Sequence, residues 1–259
     1  MNRHAARRQT PEERELERKH AELATLESEL ADRELEFVTL QAELQVFEAR
    51  YLRTVGRLYA ELDDLEAQIA EAEARQHPRE DRLRDQAARA RATAEESAYA
   101  VSTIVETPEN RFTPSDDLRT LYREVARQIH PDLATNETDR ARGTAAMAEA
   151  NKAYAAGDEA KLRAILDDWH SSPEAVEGEG VAAELVRTIR KIHQVQRRLA
   201  ELANALTTLR HSDLYRLKER ADAASAVGQD LFSEMADQLS TEISALWKRL
   251  DLIRKVAAT

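Results

Sequence analysis

An all-α fold is predicted by three features of the sequence. Only six glycines and six prolines occur in 259 residues, aromatic side chains make up 5%, and apolar positions recur at steps of three and four over long stretches. So few breakers among so many Ala, Leu, Glu and Arg favour long helices over a single aromatic-rich core. The architecture expected is a long coiled-coil helix, a small helical hairpin, and a C-terminal helical hairpin or coiled coil. A formal net charge of −11 argues against whole-protein attraction to nucleic acid or to an anionic membrane. The absence of cysteine excludes a disulfide framework and a thiolate metal site. The basic start lacks an apolar h-region and no apolar run would span a bilayer, so a cytoplasmic protein without membrane attachment is expected.

Residues 1–10 read as a basic flexible arm carrying Arg3, Arg7 and Arg8. Thr10-Pro11-Glu12-Glu13 then signals a helix start, with a Thr cap, Pro at the first helical position and a carboxylate placed to answer the cap. Over residues 11–77 the apolar positions Leu23, Leu26, Leu30, Phe37, Leu40, Leu44, Phe47 and Tyr51 follow the seam of a heptad coiled coil, interrupted by Arg33. Two four-residue steps in succession at Phe47, Tyr51 and Val55 predict a stutter. The seam resumes through Leu58, Leu62, Leu65 and Ile69. A continuous helix of this extent would be roughly 100 Å long at about 1.5 Å per residue. It cannot bury such a stripe alone, and a homo-oligomer or another helix of the chain would cover it.

His77-Pro78 marks a break, and residues 78–113, rich in Ala and charge, read as a helical connector and loop. The segment 114–169 is compact and helical. Thr113-Pro114 is expected to start its first helix, with Asp116 and Asp117 complementing the dipole. Leu118, Leu121, Tyr122, Val125 and Ile129 share one side, and Arg119, Arg123 and Arg127 stack on a side expected to face solvent. His130-Pro131-Asp132 ends this helix. A second is expected from about Asp139 to Ala156, packing through Met147, Ala150, Ala153 and Tyr154. Gly157 suits the left-handed position after it, and Asp158 would cap a short third helix with Leu162, Ile165, Leu166 and Trp169. Residues 170–180 form a linker. Within 181–259, one amphipathic helix carries Leu185 to Leu209 and another runs from about Asp230, with a turn allowed around Ser212 to Gly228.

The central segment resembles the J domain of Hsp70 co-chaperones. In that family a helix of Tyr-Arg-x-Leu-Ala type leads into His-Pro-Asp, and a later helix carries Phe-x-x-Ile-Asn-x-Ala-Tyr. The chain has Leu121-Tyr122-Arg123-Glu124-Val125-Ala126-Arg127-Gln128-Ile129-His130-Pro131-Asp132, then Met147-Ala148-Glu149-Ala150-Asn151-Lys152-Ala153-Tyr154. The resemblance covers about residues 114–156. A J domain also opens with a short helix of Tyr-x-x-Leu-Gly-Val type. No such sequence precedes Pro114, leaving Tyr99, Val101, Ile104 and Val105, or a coiled-coil helix, to take its place.

The resemblance implies that His130, Pro131 and Asp132 contact an Hsp70-type chaperone. Arg119, Arg123 and Arg127 would dock on an acidic Hsp70 surface and steer the encounter in a salt-dependent way. Such a protein is not an enzyme; it shifts the conformational population of another enzyme and stimulates its ATPase. The coiled coils would serve self-association or a further protein partner. The alternative is a structural coiled-coil adaptor in which the hairpin is an assembly element without Hsp70 activity.

Other candidates are weaker. Taken alone, His130-Pro131-Asp132 is a helix stop. Arg187, Arg190, Lys191, Arg197 and Arg198 could hold nucleic acid, but no stacking aromatics are interleaved, and a helix packed beside the acidic first coiled coil explains them better. His4, His20, His77, His170, His193 and His211 lack ligand spacing, so no metal is expected. Asp63-Asp64 and Asp167-Asp168 read as solvated surface rather than catalytic pairs. No phosphate-cradling Gly loop or nucleophile elbow occurs, and no cofactor is expected. Phe37, Phe47, Tyr51 and Tyr59 are assigned to the coiled-coil seam, and Asn136-Glu137-Thr138 is a bare glycosylation sequon.

Overall fold

The computed structural model describes residues 10–102, 112–134, 136–170 and 180–257. The basic arm at residues 1–9, Ile104, Val105 and the linker at 171–179 lie outside the described residues. Those described are helical, with no strand among them, and none of their helices is long and apolar enough to cross a membrane. They form two compact units, each discontinuous in sequence: residues 1–42 with 112–211, and residues 43–111 with 212–259.

The first helix, α1 (Pro11–Tyr51), starts at the capping box expected of it. The Glu13 amide donates to Thr10 Oγ1 at 3.2 Å and the Thr10 amide donates to Glu13 Oε2 at 2.8 Å. The second unit holds α2 (Arg57–Gln76) and α3 (Asp81–Ser102), and the remaining helices of the first are α4 (Asp116–Ile129), α5 (Glu137–Ala155), α6 (Glu159–His170) and α7 (Val181–Arg210). Two stripes of α1 are buried in the first unit. Leu23 and Leu30, with Leu26 and Phe37 at the margin, pack on Ile192, Val195 and Leu202 of α7. Ala31, Leu35 and Val38 enter a second core with α4, α5 and Leu162 of α6. The N-terminal part of the heptad seam is therefore covered within the chain.

In the second unit α1 passes into a single π-helical turn at Leu52–Gly56 before α2. The sequence places a stutter there. The backbone absorbs the extra residue locally, and the Thr54 hydroxyl donates to the carbonyl of Arg50 at 2.7 Å. Phe47, Tyr51 and Val55 close on Phe232, the first two as ring contacts at 5.3 and 5.8 Å. Phe232 begins α9 (Leu231–Ala257), whose Ile243 and Leu250 pack on Leu65 and Ile69 of α2.

The helical connector expected after Pro78 is α3, which lies along α2 with Ala87 and Ala94 buried. Arg91 of α3 spans two acids of α2, with Nη1 2.8 Å from Asp64 and Nε 2.7 Å from Glu71. The stretch assigned to a turn is itself a helix, α8 (Asp213–Ala226), because the Ser212 hydroxyl caps it by accepting from the Tyr215 amide at 3.2 Å. Within its own unit, α7 joins the core of α1, and α9 joins that of α2.

Candidate functional site

The site is built on α4 and α5. Ser115, not Thr113-Pro114, caps α4, its hydroxyl accepting from the Leu118 amide at 3.0 Å. A serine one residue beyond the proline offers the side-chain acceptor that Pro114 lacks. Leu118, Tyr122, Val125, Ala126 and Ile129 are buried on one side. Asn136 caps α5 two residues earlier than expected, accepting from Asp139 at 2.8 Å, and Gly157 takes φ +71° after its last turn. Asp158 caps α6 through the Lys161 amide at 2.8 Å.

Tyr122 donates to Asn151 Oδ1 at 2.6 Å and its ring lies 4.9 Å from that of Tyr154. Burial, then the nearby Glu34 charge, pushes the Tyr122 phenol well above its ordinary pKa, which keeps it a donor. The Tyr154 hydroxyl meets Thr39 of α1 at 2.9 Å. Ala31, Leu35 and Val38 of α1 pack in the same core. Tyr99 is 72% exposed.

At the end of α4, Pro131–Leu133 form one 3-10 turn. His130 turns inward. Its Nδ1 accepts from the Asp132 amide at 3.2 Å, leaving Nε2 as the N–H that donates to Glu34 Oε1 at 3.0 Å. The same carboxylate oxygen accepts from Arg198 Nε of α7 at 2.8 Å. The His130 and Glu34 side chains are each 3% exposed. Burial pushes the Glu34 carboxyl up, and the hydrogen bonds from His130 and Arg198 outweigh it, holding the group below its ordinary value. The Gln194 amide nitrogen donates to the Asp132 carbonyl at 3.1 Å while its oxygen accepts from Arg140 at 3.0 Å. Leu133 packs against the α1–α7 core. The Asp132 side chain keeps 20% exposure, with Oδ2 3.8 Å from His130 Nδ1.

The arginine row does not face solvent alone. Arg123 Nε donates to Asp32 Oδ1 at 2.7 Å and Arg127 Nη2 to Ser28 Oγ at 3.0 Å, both on α1. Arg119 pairs within its own helix with Asp116 at 3.2 Å. Of the basic residues on α7, Arg198 points to buried Glu34, while Arg197 is exposed beside Glu201. The cluster is thus split between an internal ion pair and a solvated side.

Sequence reasoning missed Glu34 and Gly143, and named Arg198 only as one of a basic cluster beside the acidic first helix. A Cβ on Gly143 of α5 would stand 2.7 Å from the Ile129 carbonyl oxygen and 3.1 Å from Pro131 Cα. The pairing of Gly143 with Ile129, and of Asn151 with Tyr122, shows α4 and α5 antiparallel, with the glycine admitting the turn's backbone. A glycine inside a helical pattern is the signal that points to it. Gly143→Ala gains about 1 kcal/mol of helix propensity. The clash is with backbone and cannot be relieved by a rotamer change, costing about 2–3 kcal/mol. Net destabilisation of about 1–2 kcal/mol is expected in urea unfolding; a more stable variant would contradict this close approach.

Comparison with protein-family models, curated proteins and solved structures finds no match.

Proposed function

We propose that the chain is a J-domain-type co-chaperone, which binds an Hsp70-type chaperone through His130, Pro131 and Asp132 and stimulates its ATPase. One observation carries this reading. The His-Pro-Asp turn lies between two antiparallel helices whose family-like residues meet each other, Tyr122 bonding Asn151, and Asp132 keeps part of its carboxylate at the surface. Asp132 supplies the charged contact that favours the hydrolysis-competent Hsp70 state; Pro131 and His130 hold the turn's shape. Arg119, Arg123 and Arg127 supply the basic docking side. The protein is itself no enzyme, acts in the cytoplasm, and uses its long helices for self-association or for a further protein partner.

A second reading, the structural adaptor without Hsp70 activity, is favoured by the engagement of Arg123, Arg127 and His130 by α1. Single-turnover ATP hydrolysis by a bacterial-type Hsp70, titrated with the full chain, separates the two. Stimulation by the parent and its loss in Asp132→Asn, at unchanged helicity, is the expected result. Equal stimulation by the two proteins overturns the mechanism, and none by the parent selects the adaptor.

A further inference from the structure

The residues that would meet an Hsp70 are already in contact with the rest of their own unit. Arg123 is paired with Asp32, Arg127 with Ser28, and His130 with buried Glu34, all on α1. From α7, Arg198 bonds the same Glu34, and Gln194 bonds the Asp132 carbonyl. Ser28 and Asp32 are four residues apart, so they share the side of α1 that matches the four-residue step from Arg123 to Arg127. A polar and acidic stripe thus lies against a basic one.

We infer that α1 is an internal competitor for the docking side, an autoinhibitory contact in which Ser28 and Asp32 occupy the groups an acidic partner surface would otherwise take. The inference rests on the co-chaperone reading above. Binding then requires α1 to give up its contacts with Arg123 and Arg127, and the apparent affinity falls by the fraction of molecules in which those groups are free. The polar part of the contact suits displacement. The Asp32 side chain is 57% exposed, so its pair with Arg123 exchanges readily with solvent and with a competing carboxylate. Ala31, Leu35 and Val38, on the neighbouring stripe, hold the helix to the core while those pairs exchange.

The test uses the full chain and charge reversal at exposed positions. Asp32→Arg puts like charge beside Arg123. Glu29→Arg, exposed on the same helix, makes the same change in net charge and controls for a general gain in attraction to an acidic surface. Two quantities are read: backbone hydrogen exchange over residues 126–133 without Hsp70, and single-turnover stimulation of a bacterial-type Hsp70. Faster exchange and a roughly fivefold or larger rise in stimulation at subsaturating protein are expected for Asp32→Arg, with Glu29→Arg close to the parent. A parent that stimulates, with Asp32→Arg no better than Glu29→Arg, overturns the inference and leaves the co-chaperone reading standing. No stimulation by either protein, although exchange is faster in Asp32→Arg, overturns the co-chaperone reading and the inference with it.

Discussion

Replacing Glu34 with alanine is expected to lower stability by about 2–3 kcal/mol at neutral pH. The carboxylate is the single acceptor for two donors, His130 Nε2 and Arg198 Nε, in a place water does not reach. Removing one partner of a fully buried charge pair costs about 3–5 kcal/mol. Arg198 keeps 34% exposure and can recover water, which discounts that figure, whereas His130 cannot. The sign of the pH dependence follows from the lowered carboxyl pKa. The folded state holds a proton on Glu34 less readily than the unfolded state, whose group titrates near 4.5. Its contribution is complete above the unfolded value and is lost as pH falls through the folded one. The carboxylate's share of the gap between parent and Glu34→Ala should therefore shrink below about pH 5. The two tryptophans divide between the units, Trp169 in the first and Trp247 in the second, so fluorescence in a Trp247→Phe background isolates the relevant transition. A gap that widens in acid would contradict the assignment.

The position of Glu34 also shows what was readable in the sequence. One heptad seam on α1 is plain from large residues such as Leu23, Leu30 and Phe37. The second stripe, Ala31, Leu35, Val38 and Ala42, steps by four, three and four as well, and all four are buried. It is inconspicuous because two members are alanine and charges surround it. A helix buried on two sides places the residue between the stripes in the interior, and that residue is Glu34. The same weakness left α3, whose buried residues are Ala87 and Ala94, legible as a helical connector but not as a partner for α2. Small side chains let two backbones approach closely, but they add little to an apolar pattern. Local signals fared better, since Thr10 with Glu13, Gly157 and Asp158 act through atoms within a few residues. The arginine row was legible as a row; its partners were not, because Arg123 and Asp32 lie 91 positions apart.

Tyr122→Ala is expected to cost about 4 kcal/mol, at the level of large aromatic truncations in cores. The ring is fully buried among α1, α4, α5 and α6 and meets the Tyr154 ring at a tilt, 4.9 Å away. Its hydroxyl is the donor that ties α4 to Asn151. Tyr122→Phe keeps the ring and removes one hydrogen bond, and Asn151, being only half-buried, regains water; about 1 kcal/mol is expected. The two variants separate packing from bonding at the centre of the hairpin. Because the same side of α4 carries Ile129 to the start of the His-Pro-Asp turn, loss of the ring loosens the geometry that presents Asp132. On the co-chaperone proposal, stimulation of Hsp70 should therefore survive in Tyr122→Phe and fall in Tyr122→Ala, in step with the fraction unfolded in Trp169-monitored urea titrations. A Phe variant as unstable as the Ala variant would place the energy in the Tyr122–Asn151 bond rather than in the buried ring.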